Sequence, residues 1–234
     1  VASGAAAAAA VDDDPEALTT LEQAVEAVAR SLARQQAADG EGAATLITCA
    51  VSGGADDAAA RAAARAVVSS DLLKAAVHGA DPNWGRIAMA VGNAVIAPAG
   101  SLEAAGLSPA AARARAGQPV ELDPASLRID IEGTPVFAGV PLEYDEAALS
   151  GRMRDGEVTI RVDLGVGAGI GEAFGCDLTQ EYVIENSEYS TRTAHPSPSS
   201  SAAPPSSSSR TSCARSWRSD ASVRWSSSTA AASA

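Results

Sequence analysis

Cysteine, histidine and lysine are nearly missing from these 234 residues, and each shortage closes off a class of chemistry. Cys49, Cys176 and Cys213 are odd in number, far apart and without Cys or His neighbours at ligand spacing. Neither a disulfide framework nor a zinc site follows from them. His78 and His195 are too separated for a metal cluster. His78 is the only histidine before the C-terminal tail, so no Ser-His-Asp or Cys-His arrangement can be assembled. Lys74 stands alone beside 16 arginines; with alanine so abundant, this reads as a GC-rich coding sequence rather than a physical demand. No stretch approaches the ~20 apolar residues of a membrane span, so no membrane partner is expected. Residues 1–10 are apolar, with no basic segment before them and no initiator Met, and read as an interior segment rather than a signal peptide.

Positive charge is scarce where a fold is expected. Residues 1–191 carry 28 acidic against 12 basic side chains, whereas residues 192–234 carry five Arg and one Asp. Phosphate-backbone binding needs clustered Lys and Arg, so a nucleic-acid partner is not expected. From His195 onward Ser, Ala, Pro and Arg dominate and apolar periodicity stops. Such a segment buries too little surface to offset its ordering entropy and is expected to be disordered.

Organised structure is legible between these ends. After Asp14-Pro15, the residues Leu18, Leu21, Val25, Val28 and Leu32 mark one face of a helix, with Arg30 and Arg34 near its end and Gly40 and Gly42 stopping it. Ala44–Val51 reads as a strand, and Asp56-Asp57 caps an alanine-rich helix to about Val68. Leu72–Val77 leads into Gly79-Ala80-Asp81-Pro82-Asn83-Trp84-Gly85-Arg86, which on local physics is a strand-to-helix connection. In it Pro82 fixes φ, while Asp81 and Asn83 accept from the amides of a helix running to about Val95. Residues 97–126 offer one short helix near Pro109–Ala116. Strands follow at Leu127–Ile131 and Val136–Leu142, with Glu132-Gly133-Thr134-Pro135 as their turn. A helix near Asp145–Arg152, a strand at Val158–Leu164, an extended stretch at Glu172–Cys176 and a helix ending near Tyr189 complete the pass. Helices alternating with non-contiguous strands predict an α/β or α+β domain.

Three segments could carry chemistry. Gly165-Val166-Gly167-Ala168-Gly169-Ile170-Gly171 follows a strand as a dinucleotide loop would, but no helix opens on its last glycine, so a crossover loop is the better reading. Asp39-Gly40-Glu41-Gly42 sets a carboxylate between residues without side chains, either as a solvated turn or where backbone passes close to a small ligand. Asn186-Ser187-Glu188-Tyr189-Ser190-Thr191 offers an amide, hydroxyls and a phenol, suited to a polar ligand or to an ordinary helix end.

Taken in order, Asp39-Gly40-Glu41-Gly42-Ala43, His78–Arg86, Gly175-Cys176-Asp177-Leu178-Thr179 and Asn186–Thr191 resemble the β-chain of the glutamate/ornithine N-acetyltransferases of arginine biosynthesis. The resemblance covers about residues 1–191, and Asp81–Arg86 is its most specific part. It implies the C-terminal part of a DmpA/ornithine-acetyltransferase-like fold, with the N-terminal catalytic sandwich mostly missing. Residues 1–43 would be a remnant of that sandwich, mainly one helix, and 44–191 a C-terminal α/β domain whose tail returns to the active site. Residues 192–234 would be a Ser/Ala/Pro-rich tail.

The implied activity is acetyl transfer from N-acetylornithine to glutamate through an acetyl-threonine intermediate. No cofactor is implied, although some members take acetyl-CoA as co-substrate. The implied assembly is an α2β2 heterotetramer of self-cleaved chains, in the cytoplasm or, in eukaryotes, an organelle. By motif match Glu41, Asn186 and Thr191 are substrate-binding: Glu41 holds an amino group, and Asn186 and Thr191 fix the polar end of the amino acid. No catalytic residue is expected in this chain, because the nucleophilic threonine lies upstream; Thr19 and Thr20 sit inside a predicted helix and are poor substitutes. The isolated polypeptide is therefore expected to be inactive. Two alternatives stay open, an N-terminal-nucleophile amidohydrolase of related fold and a non-catalytic assembly module. The tail continues past the family's usual end, and read one frame over, Arg224–Ala231 admits a string resembling the glycine-rich loop of N-acetylglutamate kinase. A frameshifted tail is the corresponding expectation.

Overall fold

The structure is a computed structural model. The chain divides into two units, Val1–Ser190 and Thr191–Ala234, and the residues described are 14–187, all in the first. The expectations for the tail lie outside the described residues.

The first helix, α1 (Pro15–Ala38), starts as its sequence dictates: Asp14 accepts from the amides of Glu16 and Ala17, and Pro15 occupies the first turn. Strand β1 (Leu46–Gly54) follows, and then α2 (Asp57–Val68), capped by Asp56 through the Ala59 amide at 2.8 Å. Partial burial raises the Asp56 carboxyl, but that amide and the Arg115 guanidinium at 2.5 Å outweigh it and hold the group below its ordinary value. A carboxylate depressed in this way stabilises the fold above its unfolded pKa and loses that effect as pH falls through the lower folded one. Asp56→Ala is expected to cost about 1 kcal/mol at neutral pH. In urea unfolding, the gap from the parent should close in acid below about pH 4; a gap that persists there would refute the assignment.

Helices α3 (Asp71–His78) and α4 (Trp84–Gly92) flank the glycine-proline turn. Leu72–Val77 is therefore helix and not strand. Ser70 caps it through the Leu73 amide, and Leu73, Ala76 and Val77 are buried at helical spacing, a run too short to betray its period beforehand. In the turn Ala80 takes a left-handed φ of 52°. Asn83 caps α4 through the Arg86 amide as expected, whereas Asp81 accepts from the Asn83 side chain at 3.1 Å and not from the helix. Trp84 stacks on Phe137 with ring centroids 4.8 Å apart, and Arg86 donates to the Leu72 carbonyl at 2.6 Å, tying α4 back to α3. Helix α4 stops at Gly92, so Val95 lies beyond it, in a bridge to Pro119. A helix not anticipated, α5 (Ala99–Ala104), precedes α6 (Pro109–Arg115).

A hairpin follows, β2 (Arg128–Ile131) and β3 (Thr134–Ala138), turning on Glu132 and Gly133 alone, both at positive φ. Thr134 and Pro135 are thus in the strand, with Pro135 on its edge. Next come α7 (Glu146–Arg152), β4 (Glu157–Asp163), β5 (Gly169–Cys176) and α8 (Gln180–Ser187). The sheet order is β3-β2-β4-β1-β5; β1 and β4 are parallel and every other pair antiparallel. Among the described residues no helix is long and apolar enough to cross a membrane.

Strand β5 explains the glycine-rich run. Alternate residues Gly169, Gly171, Ala173 and Gly175 turn toward α2. A Cβ on Gly169 would stand 2.2 Å from the Asp56 carbonyl carbon, and one on Gly171 2.4 Å from the Arg61 amide nitrogen. The space before Gly169 and Gly171 is taken by the backbone of α2 and its cap, and that before Gly167 by the Gly54 carbonyl, which leaves these glycines no room for a phosphate. The facing positions Ala59, Ala60, Ala63 and Ala64 are all buried, so alanine in α2 answers a packing demand beyond any coding bias. Ile47, Cys49 and Val51 of β1 with Val158, Ile160 and Val162 of β4 complete this core.

The other sheet face is polar, and α1 is tied to it by ion pairs. Arg30 makes a bidentate pair with Glu172 at 2.5 and 2.7 Å beside the Phe174 ring, and Arg34 pairs with Glu157. The apolar row that predicted α1 points away: Leu18, Leu21, Val25, Val28 and Leu32 are all exposed, and no residue of the helix is buried.

Candidate functional site

Helix α1 is capped by Asp39, whose amide closes on the Gln35 carbonyl, and the chain turns through Gly40-Glu41-Gly42, with the Ala43 amide donating to the Gly40 carbonyl. Gly42 has φ +63°, and a Cβ there would lie 2.6 Å from the Tyr182 amide nitrogen. A Cβ on Gly40 would meet the Cys176 sulfur at 2.6 Å. The close approach expected of these glycines is therefore to α8 and β5, and the space a ligand would need beside them is filled by the protein itself. Glu41 between them projects outward and is exposed.

Asn186, on α8, comes to it from 145 positions away. Its Nδ2 donates to Glu41 Oε2 at 3.1 Å and to the Tyr182 carbonyl at 2.9 Å. Two of the three residues named from the sequence thus meet. Thr191 lies outside the described residues. Thr19 and Thr20 donate their hydroxyls to carbonyls one turn back in α1, at 2.9 Å each, as ordinary helical threonines.

The junction of β5 and α8 lies beneath this pair. Asp177 has no exposed side-chain surface, and its Oδ1 accepts from the amides of Ala44 at 2.9 Å and Thr45 at 3.0 Å. Its Oδ2 lies 3.0 Å from His78 Nδ1 at the end of α3. Thr179 donates to the Gly42 carbonyl at 2.6 Å and accepts from the Tyr182 amide at 3.1 Å, so its buried hydroxyl starts α8 while holding the Glu41 turn. Thr179 caps its own helix, whereas Asp177 works across the fold. Its visible signal is an Asp and a Thr two apart after a strand, the pattern that offers side-chain acceptors to nearby amides.

Elsewhere the chemistry is quieter. Burial pushes the Cys49 thiol far up and makes it a poor nucleophile. Among the described residues no group of three or more His, Cys, Asp and Glu side chains could hold a metal ion. A cleft of about 500 Å³ between β3 and α7, lined by Glu143, Tyr144, Asp145 and Arg152 among others, includes none of Glu41, Asn186, Asp177, Thr179 and His78.

A family model described as the ArgJ family matches residues 1–191. The chain belongs to the ArgJ family. The arginine biosynthesis bifunctional protein ArgJ of Deinococcus radiodurans is 49% identical over 174 residues, covering 74% of this chain and 39% of that protein. A glutamate N-acetyltransferase of Methanopyrus kandleri is 42% identical over 178 residues, covering 74% and 40%. The crystal structure of the ArgJ protein of Bacillus halodurans superposes with a TM-score of 0.62 at 32% identity, covering 76% of this chain and 72% of that one. The fold is thus an ArgJ-type α+β fold, in line with the sequence reading. The chain spans about two fifths of the length of the curated relatives it matches.

Proposed function

We propose that this ArgJ-family chain supplies the substrate-holding part of an acetyltransferase of arginine biosynthesis, moving acetyl from N-acetylornithine to glutamate. The observation that carries the reading is the 3.1 Å contact between Glu41 and Asn186, which brings two residues 145 positions apart in the family-matched segment to one exposed point. The names of the Deinococcus and Methanopyrus relatives supply the reaction class.

In this reading the nucleophile is a threonine outside this chain, at the start of the processed β-chain. Its hydroxyl attacks the acetyl carbonyl of N-acetylornithine and its own α-amine takes the proton. The tetrahedral intermediate collapses, ornithine leaves as the amine carrying that proton, and an acetyl ester remains on the threonine. The glutamate amine then attacks the ester, restoring the hydroxyl and releasing N-acetylglutamate. Donors aimed at the oxyanion belong to the upstream part. Acetyl-CoA is an alternative donor to the same threonine. Glu41 holds the substrate ammonium by a charge-assisted hydrogen bond, and Asn186 and Thr191 fix the polar end of the amino acid.

The reading makes the isolated chain inactive and assigns the exposed apolar row of α1 to the rest of an α2β2 enzyme. Acetyl exchange between N-acetylornithine and glutamate should be absent from the purified chain and present once the upstream part is co-expressed; exchange by the chain alone would overturn it. Leu21→Glu combined with Val28→Glu should change folding stability by less than about 0.5 kcal/mol, as expected for exposed sites. In size-exclusion chromatography the same pair should abolish assembly with the upstream part, and intact assembly would reject this use of α1.

A further inference from the structure

We infer that Asp177 and Thr179 are positioning residues that set Glu41 against Asn186, a role resting on the reading that Glu41 holds substrate. Among the described residues, the Asn186 amide is the one side-chain partner of Glu41, which is exposed, so the place of its carboxylate is decided by backbone. That backbone is held on its C-terminal side by the segment 177–179. The Thr179 hydroxyl takes the Gly42 carbonyl at 2.6 Å, and Asp177 Oδ1 takes the amides of Ala44 and Thr45. The Asp177 amide donates in turn to the Thr45 carbonyl at 3.0 Å, extending the β1–β5 ladder by one step.

The same three residues launch α8. Thr179 caps it through the Tyr182 amide, and the Tyr182 carbonyl holds the Asn186 side chain one turn on. One short segment therefore fixes the Glu41 turn on one side and the Asn186 helix on the other. A shift of Thr179 would move the two halves of the site relative to each other. His78 completes the clamp. Its Nδ1 lies 3.0 Å from Asp177 Oδ2, so the imidazole holds the second carboxylate oxygen in place.

The test uses the complete enzyme with all its chains. Thr179→Val keeps shape and removes the hydroxyl, Thr179→Ser restores it, and Asp177→Asn keeps an acceptor while removing charge. Because misplacing a reacting group by about 1 Å can cost on the order of a hundredfold, Thr179→Val is expected to lower kcat/KM for acetyl transfer about ten- to a hundredfold. Thr179→Ser should recover the parent value to within about twofold, the span set by small local changes. A double-mutant cycle separates positioning from general damage. In a Glu41→Gln background Thr179→Val should lower the rate no further, because both changes act on one interaction. Full additivity of the two would overturn the proposal.

Hydrogen exchange provides a readout independent of activity. Thr179→Val and Asp177→Asn should speed exchange of the 41–46 amides and leave those of α2 unchanged; unchanged exchange at 41–46 would also overturn it. If Glu41→Gln alone leaves transfer intact, the substrate-holding reading of Glu41 fails, and the exchange arm still decides whether the clamp exists.

Discussion

Gly169→Ala should lower the stability of this protein by about 3 kcal/mol or more, the upper range for overpacking a close-packed interior. The reason is geometric. The added methyl carbon would lie 2.2 Å from the Asp56 carbonyl carbon, 2.3 Å from its oxygen and 2.7 Å from its Cα, all of them backbone. No rotamer change relieves such a contact; either β5 or the start of α2 must move. Both are fixed, β5 by its ladder to β1 and α2 by the Asp56 cap and its buried alanines. For a chain of this size the cost corresponds to a fall in Tm of about 10 °C. Gly92→Ala is the control. It sits at the end of α4 with nothing within 4 Å of the new methyl, and should be neutral or stabilising by about 0.5 kcal/mol through lost unfolded-state entropy. Equal melting temperatures for the two variants would show that the α2–β5 seam yields.

The other large effect is on rate. Glu41→Ala in the complete enzyme should reduce kcat/KM for glutamate acetylation by about ten- to a hundredfold, the equivalent of a hydrogen bond to a charged group at ~1.5–3 kcal/mol. Folding stability should barely change, because Glu41 is exposed and its one described side-chain partner, Asn186, is also exposed. Asn186→Ala should have a smaller effect, and the double variant should lose less than the product of the two, since the groups touch at 3.1 Å. Steady-state kinetics with each substrate varied will separate loss of binding from loss of turnover. Transfer at the parent rate would remove Glu41 from the site.

Much of the fold was legible because its helices carry their own punctuation. Asp14-Pro15, Asp56, Ser108-Pro109 and Asp145 each cap a helix, and the starts read from the sequence agree with the structure to within a residue or two. Helix α5 escaped notice because one buried side chain, Leu102, sits among Pro98, Gly100 and Gly106, too little to form a period. Helix α3 carries an apolar run of strand length and declares itself only through Ser70 and its packing. The apolar face of α1 was visible, but its partner was not: periodicity says that a face will be covered, not by what.

The site was legible one residue at a time. Glu41 and Asn186 were named from the motifs around them, but their meeting depends on β1 and β5 pairing antiparallel, Leu46 opposite Cys176. That register carries residues 41–45 alongside 177–179. Local pattern marks Asp177 only as an acceptor after a strand; its partners, two amides 133 and 132 positions away and a histidine 99 away, leave no trace there.

The seam between α2 and β5 has a further consequence, for how this sequence can change over time. Interiors usually drift by exchange, one partner growing as its neighbour shrinks. Here the strand contributes glycine and the helix alanine, both already at the bottom of the size scale. Opposite Gly169 and Gly171 the helix and its cap present backbone, which no side-chain exchange can shrink, so a larger residue at either position has no compensating change. Freedom to vary lies instead on the opposite sheet face, where Glu157, Glu172 and Phe174 meet α1 through Arg34 and Arg30.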